Sequence, residues 1–428
     1  MPVLNTARRS ALAGAIMLSV LATACSSPGD VAPAQAAAVD SCDPAGVTIV
    51  AQYAQQGDEA ARLAKDSLEA KYPGLTVELK HKAGSTSYDE LTQQIVSDIA
   101  AGNRPDVAML GLAQTRFWVD QYQPMPIDPD ALRETYNRKF LDVGRVDDTP
   151  YVAPFQVSIP VLYTNTTLAK NAGVTTVPTT HSELLDNART IKAADGSVPV
   201  SLPQDGIVAW LVQANLQSGG ATLVDADGNP AFDTQEGRRA LAIYETLGAE
   251  KLQDPISYAD TNTMFTTGKL TYMVNTPAAA ATIQKAVGES FDWTVSAMPV
   301  PDGGTGSLPA GGNGWMVLSQ DPCKAAFGNE LIGAILDPAV IAASAKTYSY
   351  VPVDTEAAAI LAADPAADTQ VGYSWTYDGN PTTPDGWHGN NNAKVNQQIQ
   401  DMVQRLIGGE TVDTVVPEAS RRIESVVN

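Results

Sequence analysis

The chain has 428 residues, with 27 Lys and Arg against 48 Asp and Glu, for a formal net charge of −21. So acidic a surface argues against nucleic acid and anionic headgroups as partners and keeps the protein soluble. The length exceeds what one hydrophobic core usually serves, so two lobes are expected.

Residues 1–24 have the form of an export signal: Arg8 and Arg9 precede an apolar run from Ala11 to Ala22, followed by small residues up to Cys25. The run is too short for a helix that must span about 30 Å of hydrocarbon. Leu21-Ala-Thr-Ala-Cys25 resembles a bacterial lipobox, which implies lipidation of Cys25 and a protein held at the extracytoplasmic face of the membrane. Ala22 stands where that motif usually has leucine, and ordinary cleavage after Ala24 is the alternative because Ala22 and Ala24 form an A-x-A site. Ser26 to Ala38 read as a flexible tether, so residues 25–42 form a lipidated N-terminus ahead of the fold. Cys42 and Cys323 remain, an even pair in an exported chain and hence a disulfide candidate that would make one lobe discontinuous in sequence.

Val47–Val50 reads as a strand and Asp58–Lys71 as an amphipathic helix; Leu75–Leu79 is a strand, Tyr88–Ala101 a helix and Pro105–Leu110 a buried strand. This alternation predicts an α/β fold with a largely parallel sheet, its ligand crevice at the carboxyl ends of the strands. Pro150, Pro154 and Pro160 then force extended geometry on a segment that runs into a β-branched strand ending at Tyr163, which reads as a crossing between lobes. Helices over Ser182–Lys192, Val208–Leu216 and Gln235–Ala249 and strands over Leu270–Asn275 and Phe291–Ala297 build a second lobe. Pro299–Gly314 is taken as the return crossing, and Asn396–Val427 is helical apart from a turn at Gly408.

Several segments, in order, resemble the extracytoplasmic solute-binding proteins of ABC importers, specifically the carbohydrate-type family that includes maltose-binding protein. They are Ala101-Gly-Asn-Arg-Pro-Asp106, Tyr151-Val-Ala-Pro-Phe155 with Val161–Asn165, Phe265-Thr-Thr-Gly-Lys269 with Tyr272-Met273, Met298–Asp302 with Gly311–Gly314, and Gly408–Val412. The resemblance implies a two-lobed type II binding-protein fold, each lobe a mixed, mostly parallel sheet flanked by helices, with a ligand cleft between them. Lobe I is expected over 43–156 and about 312–350, and lobe II over 157–311 and about 351–428. It also implies a monomer that binds a small molecule and serves ABC permease subunits, without cofactor, metal, catalytic residues or nucleic acid.

A sugar site needs aromatic faces interleaved with polar groups. Trp210 stands where related proteins place a stacking tryptophan, and Ser158 resembles a hinge serine that contacts ligand in glycerol-3-phosphate-type and glycerophosphodiester-type members. Gly312 and Asn313 lie in the second crossing, where glycine lets backbone approach a ligand. The densest aromatic region runs from Tyr348 and Tyr350 through Trp375 to Trp387 and His388, and Tyr88 and Gln114 follow predicted strands on the other wall. Glycerophosphate-type members carry an arginine near the last of these; this chain has His388 and Asn390 there, with Lys394 the nearest base. A sugar or polyol therefore fits better than a phosphate monoester, and a glycerophosphodiester with a cationic head stays open because aromatic cages favour quaternary ammonium.

Asp225-Ala-Asp-Gly-Asn229 with Glu236 has EF-hand spacing, but Pro230 occupies the place that must turn sharply, which favours a simple Asp-Gly turn. His81, His181 and His388 are isolated in sequence. An exported glycoside hydrolase is the rival class: a G-x-S-x-G motif is absent, whereas paired carboxylates remain open among so many acids.

Overall fold

The computed structural model describes residues 36–428 apart from 82, 83, 86 and 390, so the export segment, Cys25, most of the tether and Asn390 lie outside the described residues. The alternation of short apolar runs and amphipathic stretches folds as β1 (Thr48–Tyr53), α1 (Asp58–Lys71), β2 (Thr76–His81), α2 (Tyr88–Ala100), β3 (Val107–Gly111) and α3 (Thr115–Tyr122). In α1 the apolar positions Ala60, Ala61, Ala64 and Leu68 are buried, the stripe expected of a helix laid on a sheet. Ser87 caps α2 by accepting from the Glu90 amide. β3 is buried along its whole length, as a strand covered on both faces must be. A small hairpin, β4 (Arg145–Val146) with β5 (Thr149–Pro150), leads to β6 (Ala153–Ser158).

β6 stays in the first sheet and β7 (Val161–Asn165) opens the second, so the crossing narrows to Ile159 and Pro160. The second lobe continues with α4 (Thr166–Asn171), α5 (His181–Asp195), β8 (Val200–Ser201), α6 (Val208–Ser218), α7 (Gln235–Ala249), α8 (Tyr258–Thr266), β9 (Tyr272–Asn275), α9 (Ala280–Val287) and β10 (Trp293–Ala297). A Thr180–Glu183 capping box starts α5. The chain returns as β11 (Gly311–Val317), so Gly311 to Gly314 belong to a strand; Leu308 packs in the second lobe and Ala310 in the first, which puts the actual crossing at Pro309. Helices α10 (Pro322–Ile335), α11 (Pro338–Tyr348) and α12 (Thr355–Ala362) follow, and α13 (Asn392–Ile407) and α14 (Val412–Val427) close the chain.

The first sheet has the order β2-β1-β3-β11-β6 and the second β10-β7-β9-β8. Both are mixed. β1 is parallel to β2 and β3, but β11 is antiparallel to β3 and β6, and β7 is antiparallel to β10 and β9. The parallel share is smaller than the sequence suggests because β11 enters its sheet on returning from the other lobe, opposed in direction to the strands it joins.

The lobe boundary also differs from expectation. Val351, Val353, Ala357, Leu361 and Trp375 belong to the core of lobe I, while Trp387 and the last two helices pack in lobe II. The amide of Val351 donates to Val157 O at 2.8 Å and α12 packs on α11, so the chain stays with lobe I until a third crossing between Trp375 and Trp387. The second and third crossings run side by side: Ala310 N donates to Thr382 O and Thr382 N to Leu308 O, each at 2.9 Å. Cys42 and Cys323 are bridged across a sequence separation of 281 residues, tying the start of lobe I to α10.

Candidate functional site

Gly311 marks where the lobes meet. It pairs with Ser158 at the end of β6, and a Cβ added there would lie 2.6 Å from Trp210 Cζ2 and 2.9 Å from Ser158 Oγ. Only a residue without a side chain lets the indole lie on the backbone at this point. Trp210, half-buried on α6, donates from Nε1 to Pro309 O at 3.0 Å. The structure thus brings together Trp210, Ser158 and the second crossing. Gly312 has φ +93 and a Cβ there would lie 1.8 Å from Gln156 O, so both its left-handed backbone and its contact demand glycine.

The lobe I wall is a polar network behind these glycines. Asn313, fully buried, donates from Nδ2 to Tyr88 Oη at 2.9 Å and to Gln156 Oε1 at 2.6 Å. Gln156 Nε2 donates to Gln56 O at 3.0 Å and to Ser344 Oγ at 2.6 Å. Tyr88 lies against Gly111 and is also hydrogen-bonded to Tyr350, whose ring centre is 6.3 Å from that of Tyr348. Burial pushes the phenols of Tyr88 and Tyr350 up, so both stay protonated and able to donate.

On lobe II, Tyr258 at the start of α8 donates to Asn275 Oδ1 at 2.5 Å, and Asn275 Nδ2 donates to Asn262 Oδ1 at 2.9 Å. Asp205 Oδ1 accepts from the Tyr258 amide at 2.7 Å. Tyr258 lies within electrostatic reach of Tyr350, so the aromatic cluster draws on both lobes.

Three sequence candidates sit elsewhere. Gln114 accepts from Thr92 Oγ1 at 2.9 Å and from Gly111 N at 3.3 Å and donates to Asp89 at 2.7 Å, which spends its amide on the turn from β3 to α3. Trp375 is 4% exposed in the lobe I core and donates to Ala345 O at 3.2 Å. Trp387 is 3% exposed in the lobe II core. These two indoles pack rather than present a face, because the aromatic-rich segment anchors each end of the third crossing in a different lobe. His388 lies beyond Trp387, with Nδ1 3.2 Å from Asp120 Oδ2 of α3, an ion-pair contact between the lobes.

Sequence reasoning missed Gln156, Tyr258 and Asn275. Gln156 carried a signal, a lone amide inside an otherwise apolar strand segment; Tyr258 and Asn275 carried none that separates them from ordinary helix-start and strand-end residues. The Asp225 turn is self-contained: Asp225 Oδ1 accepts from Asp227 N at 3.0 Å and Asn229 N at 2.8 Å. Among the described residues no group of three His, Cys, Asp or Glu is arranged to hold a metal.

A groove of about 370 Å³ runs beside the third crossing, bordered by Arg116, Asp142, Arg145 and Asp147 of lobe I, by Asp225 of lobe II, and by Asp385 and His388. Arg116 pairs with Asp147 at 3.2 Å and Arg145 with Asp142 at 2.8 Å. Burial pushes the Asp385 carboxyl up to about 6, against the lowering effect of the Leu223 and Val224 amides and of Gln217.

Residues 51–342 match the model of the family described as bacterial extracellular solute-binding protein. The chain belongs to that family. This solute-binding protein is 26% identical over 268 residues to a protein of Brucella abortus (strain 2308) named as a binding protein; the match covers 60% of the chain and 64% of that relative's length. Solved structures of similar fold include the cyclic α-maltosyl-1,6-maltose binding protein of Arthrobacter globiformis, with a TM-score of 0.73, 18% identity and coverage of 89% and 99% of the two chains. The sugar-binding protein MalE of Xanthomonas citri gives 0.71 at 20% identity, covering 89% and 97%. UgpB of Mycobacterium tuberculosis with glycerophosphocholine gives 0.70 at 18% identity, covering 88% and 97%. At these identities the likeness establishes the two-lobed fold of the solute-binding protein and leaves its ligand to the side chains.

Proposed function

We propose that the protein is the substrate-binding component of an ABC importer: it captures a sugar or polyol between its lobes by hinge closure, delivers it to a membrane permease and does no chemistry itself. The observation that carries this reading is the indole of Trp210 laid on Gly311 beside Ser158, where two crossings join the lobes. An aromatic face next to a hydroxyl and an approachable backbone suits a ligand with apolar C–H faces and ring hydroxyls. A ligand touching both lobes binds the closed form better and shifts the population toward it. Binding of cyclic maltosyl-maltose by the similar Arthrobacter protein supports the sugar reading.

A second reading, a glycerophosphodiester, draws support from Arg116 and Arg145. Their partners Asp147 and Asp142 are 80% and 66% exposed, and such pairs exchange readily for a stronger anion. A thermal-shift screen across sugars, polyols and glycerophosphodiesters separates the two, since ligand binding raises the unfolding midpoint by mass action. A sugar shift without a phosphodiester shift supports the first reading, and the reverse supports the second. We further read the protein as a monomer held at the extracytoplasmic face through Cys25. A Cys25→Ser variant should leave the membrane fraction, and its retention there would refute the anchor.

A further inference from the structure

Trp210, Gln213 and Gln217 follow one another at i, i+3 and i+7 and share a face of α6. The two outer residues are held by the crossings: Trp210 donates to Pro309 O, Gln217 Oε1 accepts from Thr382 Oγ1 at 2.7 Å, and Gln217 Nε2 reaches Asp385 Oδ1 at 3.5 Å. Between them Gln213 is only 3% exposed, yet its Nε2 has no hydrogen-bond partner. Asp385 Oδ2 is likewise buried and has no partner within hydrogen-bond distance, the Leu223 and Val224 amides acting on the carboxyl from farther off, while its residue borders the inter-lobe groove. Buried polar groups are normally satisfied, and an unmet one weakens the fold compared with an apolar residue of the same shape. An unmet donor on α6 and an unmet acceptor on the third crossing are thus linked through Gln217, on the helix face that carries Trp210.

We propose that Gln213 and Asp385 are ligand-reading residues, a donor and an acceptor that together recognise hydroxyl groups of a ligand held against Trp210. A hydroxyl both donates and accepts, so it answers both vacancies, whereas an ether or a deoxygenated carbon answers at most one. The inference rests on the sugar or polyol reading and adds that the ligand is selected by hydroxyls beside Trp210. A site built to bond a hydroxyl strongly rejects the analogue that lacks it.

The carboxyl of Asp385, raised by burial to about 6, adds a dependence on pH. The charged groups bordering the same groove are Arg116, Arg145, Asp142, Asp147, Asp225 and His388; both arginines are paired with Asp147 and Asp142, and His388 with Asp120. Only the ionised carboxylate accepts on both oxygens, so a ligand hydroxyl stabilises that form and affinity falls as pH drops through about 6.

The test uses Gln213→Met and Asp385→Asn in the full chain, with two readouts. Without ligand, neither variant should lower the thermal midpoint at pH 7, because each removes or neutralises an unmet buried group; a fall of several degrees in Gln213→Met would reveal a structural partner and overturn the proposal. With maltose, sorbitol and glycerophosphocholine as probes, each variant should weaken whichever probe shifts the wild-type midpoint by about tenfold or more. Asp385→Asn should also lose the decline in affinity between pH 7 and pH 5. Wild-type affinity in either variant overturns the proposal. Should no probe shift the wild type, the carbohydrate reading is what fails, and the ligand-free midpoints still decide the assignment of the two residues.

Discussion

The two walls of the cleft are built on unequal terms. On lobe I, Asn313 and Gln156 bond to each other and to Tyr88, the Gln56 backbone and Ser344, and the Cys42–Cys323 bridge closes the lobe behind them. On lobe II, the α6 face offers a half-exposed indole and an unmet amide, and the third crossing beside it an unmet carboxylate oxygen. A wall whose side chains already bond one another is rigid before ligand arrives. The lobe I network leaves one acceptor, Asn313 Oδ1, without a partner, so lobe I is the more preorganised wall, and the groups beside Trp210 leave more for a ligand to complete.

The largest effect that can break this contrast is loss of the bridge. Replacing Cys42 and Cys323 with serine should cost about 2–5 kcal/mol of unfolding free energy, because the loop it closes is long. Denaturant titration monitored separately at each lobe should place that loss in lobe I, and an equal loss in both would erase the distinction. The next effect belongs to lobe II. His181, buried and bonded to Asn215, is pushed by burial down to about 4. Its folded value lies below the unfolded value of about 6.5, so the unfolded state binds the extra proton. Stability is therefore full above about 6.5 and is lost as pH falls toward 4, by about 3 kcal/mol at most. Lobe II should melt first on acidification, and a His181→Asn variant should flatten that slope; an unchanged slope would refute the assignment.

Within lobe I, Gln156→Leu leaves one of the two Asn313 Nδ2 hydrogens without its acceptor and removes the bonds to the Gln56 backbone and Ser344, and should cost about 1–3 kcal/mol of stability. Ligand affinity should fall with it, because Tyr88 loses its orientation through Asn313. A variant as stable as wild type would mean that this wall is not preorganised.

The elements were legible where local physics decides them. Asp58–Lys71 and Gln235–Ala249 form helices over the very spans that their periodicity marks, and the proline-broken segment before Tyr163 does carry the chain between lobes. What sequence could not locate is where a segment stops belonging to one lobe. Val351 stays with lobe I through a backbone bond to Val157, an isolated bridge between segments far apart in sequence. The aromatic cluster misled for a related reason: density of aromatics along the chain does not distinguish Trp375 and Trp387, each anchoring one end of a crossing in a core, from Tyr350, which reaches Tyr88. Gln213 was hidden by its position in an apolar helix, where nothing local reveals that its amide lacks a partner.

On the lobe II side, Trp210→Ala should weaken ligand binding by about 1–3 kcal/mol if the indole stacks on ligand. Because Trp210 is half-buried and its single hydrogen bond goes to a crossing, the loss of stability should be smaller than the loss of affinity. Calorimetry alongside thermal unfolding separates the two, and a stability loss exceeding the affinity loss would return Trp210 to a packing role.

The smallest effect tests whether the walls are also joined by their own side chains. His388 and Asp120 meet across the lobes at 3.2 Å, with side chains 42% and 23% exposed. Pairs this open to solvent contribute roughly 0–1 kcal/mol and weaken with salt. A double-mutant cycle with His388→Ala and Asp120→Asn, read as ligand affinity, should therefore give a coupling below about 1 kcal/mol that shrinks at high ionic strength. Such a value leaves closure to the ligand, since a pair that contributes so little cannot hold the lobes together by itself. A coupling several times larger and insensitive to salt would make the pair a latch between the walls, and the two walls would then be parts of one preformed clamp.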